Sequence, residues 1–108
     1  MSLGLYFYDH ENPLQQEVPF ATEDYFLSIL QKIINDLNLK LLNFYIQTST
    51  NILDDDLKDI CNECEKLRDY FLEYSSELSS QMQERLERIT GILLKKIESK
   101  DIGNIYFA

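Results

Sequence analysis

Between Leu57 and Leu78 the apolar residues advance by three, four, three, four, three and four positions: Leu57, Ile60, Cys64, Leu67, Phe71, Tyr74 and Leu78. A helix turns once every 3.6 residues, so this spacing draws one apolar seam along one helix. Such a seam is stable only when another helix or a second chain covers it. The covering element follows directly. Met82, Leu86, Ile89, Leu93 and Lys96 form a second stripe, with Ile92 and Ile97 widening its face.

The two stripes are out of phase, because the steps from Leu78 to Met82 to Leu86 insert four residues into the register. The change coincides with the serine-rich run "SSELSS" at 75–80, where Ser80 and Gln83 have capping-box spacing. Read as one helix, residues 55–99 would reach about 65 Å at 1.5 Å per residue, too long for a compact domain of this size. A fold-back near Leu78 instead sets Asp69 opposite Arg88, Glu73 opposite Arg85, and Asp59 to Glu63 opposite Lys95 and Lys96. An antiparallel helical hairpin, 55–76 and 79–99, is therefore expected.

Upstream, Thr22 is a helix N-cap, and Glu23 and Asp24 complement the helix dipole. Phe26, Leu30, Ile33, Leu37, Leu41 and Phe44 recur at helical steps, while Leu39, Leu42 and Ile46 mark a second apolar face. This predicts a helix over 22–50 with a weak point at "NDLN", 35–38, or alternatively a strand in its second half. Asp54 or Asp55 caps the following helix. Only three Gly and two Pro occur in 108 residues, and both Pro precede residue 20; a chain so short of breakers favours helix.

The aromatic runs "LYFY" at 5–8 and "IYFA" at 105–108 alternate like short strands, the second after a turn at Gly103-Asn104. The segment "DHENPLQQEVP", punctuated by Pro13 and Pro19, reads as irregular. The predicted fold is mainly α: a compact antiparallel bundle of three to four helices in one domain, 1–108. Strand-like aromatic segments at 1–21 (with its loop) and 103–108 are placed to pair with each other if the helix count is even.

Cys61 and Cys64 form a C-x-x-C within the seam helix. A reactive pair needs cations or a helix N-terminus to stabilise a thiolate. Here Asp59, Glu63 and Glu65 surround it, and Cys64 points along the seam. Packing is the expected role, with no metal and no cofactor. The single histidine, His10, lies between Asp9 and Glu11, without a nucleophile or third ligand to complete a catalytic or metal set. No G-x-S-x-G, P-loop, H-E-x-x-H or EF-hand pattern occurs. These readings point away from an enzyme.

Charge is unevenly laid out. Residues 1–84 carry 16 acids and 5 bases, whereas residues 85–108 carry 3 acids and 5 bases; the whole chain is at −9. This balance opposes direct nucleic-acid binding, which requires neutralised phosphates. Glu65, Asp69, Glu73 and Glu77 stack at i+4 on one helix. They form either a solvated face partly compensated by Arg85 and Arg88, or a face for a basic protein. Tyr6, Tyr8 and Tyr106 are candidate interface anchors. No run approaches the length of a membrane span, and the first twelve residues lack a leader's basic and apolar regions. A cytoplasmic location is the default expectation.

The expected function is a small acidic, non-catalytic protein-binding module. An inhibitor or immunity-type protein that neutralises a basic protein fits its size and charge. The alternative is a structural subunit that self-associates, as a homodimer for example, through the heptad seam or the terminal strands.

Overall fold

A computed structural model of the chain describes residues 2–9, 12–73, 77–99 and 104–108. It is mainly helical, with a small three-stranded antiparallel sheet. His10, Glu11, Tyr74 and Gly103 lie outside the described residues, as do the side chains of Asp9, Glu77 and Leu78.

The chain opens with strands β1 (Ser2–Asp9) and β2 (Asn12–Thr22). After the helices comes β3 (Ile105–Phe107), which lies on the other side of β1 and gives the order β2-β1-β3. Leu5, Tyr6 and Phe7 pair with Phe107, Tyr106 and Ile105, so the two aromatic runs meet within one chain. Gly4 and Ala108 exchange both backbone hydrogen bonds, at 2.8 and 2.9 Å, and extend this ladder by one pair.

The segment expected to be irregular is largely β2. Proline cannot donate to a ladder, but an edge strand needs only one bonded side. Both Pro13 and Pro19 lie on that edge strand, where they also discourage a further strand from adding. The edge of β3 receives the Ile52 N–H on the Ile105 carbonyl, at 2.8 Å. A register shift after Leu3 leaves Phe20 without a partner in β1. This bulge turns both Phe20 and Ala21 into the core, where Phe20 meets Phe107 edge to face at 5.9 Å.

Thr22 caps the next helix by accepting the Tyr25 N–H at 3.2 Å. The helix begins as α1 (Glu23–Tyr25), widens to a π-helical turn over Phe26–Leu30, and continues as α2 (Gln31–Asp36). It then stops: Asn38 is left-handed at φ 60°. Asparagine tolerates that conformation better than most residues. Chain direction resets before α3 (Lys40–Thr48), which is helical and not a strand, and which ends on a left-handed Ser49 at φ 52°.

The π turn alters which residues face inward. Its i→i+5 bonding places an extra residue in the turn, and Phe26 and Leu30 are followed in the fully buried core by Ile34, with Ile33 partly buried beside it. Beyond the break the core residues are Leu39, Leu42, Tyr45 and Ile46. Ile33, Leu37 and Leu41 of the expected primary face pack partly buried against this core, whereas Phe44 is 52% exposed.

Helix α4 (Asp54–Leu72) follows. Asp54 and Asp55 do not cap it. Leu53 occupies the cap position without a side-chain bond, and the three aspartates fill the first turn. Helix α5 (Glu77–Ser99) folds back along α4, and its 23 residues suit a molecule whose longest extent is 37 Å. Ser80 lies inside α5 and is not its cap. Leu57, Ile60, Cys64, Leu67 and Phe71 are buried against Met82, Leu86, Ile89 and Leu93 in one core that includes the inner face of the sheet. Lys96 is buried as well, and its Nζ donates to the Tyr8 carbonyl.

Candidate functional site

The hairpin register decides the charge layout. Cys61 Sγ contacts the Thr90 carbonyl at 3.9 Å, and Ser79 Oγ donates to the Phe71 carbonyl at 2.5 Å. Gln83 Nε2 donates to the same carbonyl at 3.0 Å, so Ser79 and Gln83 together cover the C-terminal end of α4. These contacts place α5 about one heptad away from the register expected for a fold-back at Leu78. A slide of one heptad keeps seam on seam, because the apolar pattern repeats at that interval. It moves every charged position by about 10 Å, however.

Among the described residues, the expected pairs of Asp69 with Arg88 and of Glu73 with Arg85 therefore do not form. Arg88 pairs with Glu84 of its own helix at 2.9 Å, and Asp69 pairs with neighbouring Arg68 at 3.6 Å. Arg85 turns away and donates to the Phe20 carbonyl at 3.4 Å. Asp69 and Glu73 are exposed on the side of α4 away from the core, with Glu65 half-buried beside them. Among the described residues, no base of α5 reaches this face. Glu77 begins α5 and so does not continue the α4 stripe.

Glu63 belongs to none of these surfaces. Its Oε1 accepts the Leu42 N–H at 3.0 Å, and its carboxylate also accepts from the Leu41 N–H. Leu39, at the N-cap position of α3, offers no side-chain bond. An acid of α4 thus caps α3 from outside. Burial raises its carboxyl above the usual range despite these bonds and despite Lys66 nearby; Asp59 adds to the rise. At the same corner Tyr45 donates its hydroxyl to Asp56 at 2.5 Å.

The cysteines lie inside. Cys61 and Cys64 are free and buried, and desolvation raises both thiols, reinforced by Glu65 at Cys61 and by Glu63 and Glu65 at Cys64. Among the described residues no group of three or more His, Cys, Asp or Glu is arranged to hold a metal ion. No helix of the described residues is long and apolar enough to cross a membrane.

The tyrosines occupy the outer face of the sheet. Tyr6 and Tyr106 are directly opposed on neighbouring strands and stack at 5.6 Å with ring planes 12° apart. Tyr8 is exposed two residues further along β1. Sequence reading missed a fourth member of this face, Glu17, which stands opposite Tyr6 on β2. A signal existed: a glycine at position 4, inside an otherwise bulky strand, marks a place where something crosses closely. Comparison with protein-family models, with curated proteins and with solved structures gives no match.

Proposed function

We propose that the protein is a non-catalytic, cytoplasmic binding module whose α4 face receives a basic protein. An inhibitor or immunity-type role is its most specific form. One observation supports this reading above the others: Arg85 and Arg88, the bases that would have compensated the α4 acids, are engaged elsewhere. The face carrying Glu65, Asp69 and Glu73 therefore receives no base from Arg85 or Arg88 and has Arg68, at Asp69, as its local ion pair, in a chain already at −9. Its field would steer a basic partner and raise the association rate.

Self-association has less to work with. The heptad seam is covered by α5, and the terminal aromatic strands are paired with each other in one chain. The test combines affinity capture with charge removal. A basic protein captured by the wild type at low salt should be lost at high salt and lost to the Glu65→Gln/Asp69→Asn/Glu73→Gln variant. Capture undiminished by those substitutions would remove α4 from the binding surface.

A further inference from the structure

Strand register lines up one acid and two aromatic rings across the outer face of the sheet. Glu17 of β2 is opposite Tyr6 of β1, and Tyr6 is opposite Tyr106 of β3. The rings stack, and the Glu17 carboxylate lies close enough to the Tyr6 hydroxyl to help burial hold its pKa above the usual value. Gly4 permits this arrangement. A Cβ at position 4 would lie 2.7 Å from Glu17 Oε1, 3.0 Å from its Cγ and 3.1 Å from the Val18 carbonyl oxygen. Glu17 therefore lies across β1 with its carboxylate over Gly4, while remaining exposed. A carboxylate already lying along the strand beside the rings presents both kinds of contact on one surface.

Charge identifies the occupant. Residues 1–31 contain no Lys or Arg, and neither do residues 101–108; the described bases that reach the sheet come from α5 and bond backbone carbonyls, Arg85 at Phe20 and Lys96 at Tyr8. Aromatic faces and a carboxylate both attract positive charge. Between the two basic side chains, arginine matches better, because its planar guanidinium can stack on a ring while its edge bonds a carboxylate. We propose that the Glu17–Tyr6–Tyr106 row binds the guanidinium of an arginine presented by a protein partner. The site does not depend on the α4 face and would stand if that face proved inert.

The test uses end-blocked Gly-Gly-Arg-Gly-Gly peptide, with its lysine and citrulline counterparts, titrated into the isotopically labelled protein and followed by NMR. The arginine peptide should shift the Tyr6 and Tyr106 ring signals and the Glu17 side chain saturably. The lysine peptide should bind about three- to fivefold more weakly, and the neutral citrulline peptide should not bind. Glu17→Gln, a surface change of equal shape, should weaken arginine binding about three- to fivefold. Tyr106→Leu should do likewise, while Glu65→Gln/Asp69→Asn/Glu73→Gln should leave it unchanged. Shifts confined to α4, equal binding of arginine and lysine, or binding indifferent to Glu17→Gln would each overturn the proposal. Loss of protein capture by the α4 triple variant with peptide binding intact separates the two surfaces.

Discussion

Glu63 shows how one residue's surroundings set its chemistry. Its carboxylate serves as the cap that α3 lacks, yet burial makes its charged form costly. The folded carboxyl is raised above its unfolded value near 4.3, so the folded state holds that proton more tightly. Linkage then gives the sign: this contribution to stability is fully present below the unfolded value and is lost as pH rises through the folded one. Wild-type stability relative to Glu63→Gln should therefore decline across that window. Urea midpoints for both proteins, taken at steps from acid to neutral pH, measure the difference. A difference independent of pH would mean that Glu63 titrates as an ordinary exposed carboxyl.

At the scale of elements, the α4–α5 pair separates what a heptad specifies from what it leaves open. Apolar periodicity fixes which sides of the helices meet, but a slide of one heptad satisfies it equally well. The choice falls to end contacts such as those of Ser79 and Gln83 with the Phe71 carbonyl. A double-mutant cycle on Asp69 and Arg88 should give a coupling near zero, whereas Glu84 and Arg88 should couple by about 0.3–0.5 kcal/mol. The seam was legible in the sequence for this reason, and the register was not. Other differences share a non-local origin. Pro13 and Pro19 read as breakers until β3, about a hundred residues away, makes β1 the central strand and β2 an edge. With the π turn at Phe26–Leu30, Ile34 takes the fully buried position and Ile33 a partly buried one, and no spacing rule announces a π turn in advance. For the candidate surfaces, the tyrosines were legible by type, while their alignment with Glu17 required the register of all three strands.

For the whole molecule the governing quantity is an acid excess that the fold does not neutralise. The described ion pairs are local ones, within α4 and within α5. Self-repulsion then opposes the compact state and is weakened by screening. Raising ionic strength from about 0.01 to about 0.15 M should raise Tm by a few degrees, because the Debye length falls from about 30 to about 8 Å. A Tm that falls with salt would mean that attractive pairs dominate the surface. The position of β1 between β2 and β3 has a consequence in time. A ribosome adds about 5–20 residues per second, so β1 and β2 are synthesised roughly 5–20 s before β3. Throughout that interval Leu5 and Phe7 face an unfinished interior beside an open strand edge. The central strand of the sheet is thus made well before the strand that covers its second edge, and for those seconds its inward side chains wait without their cover.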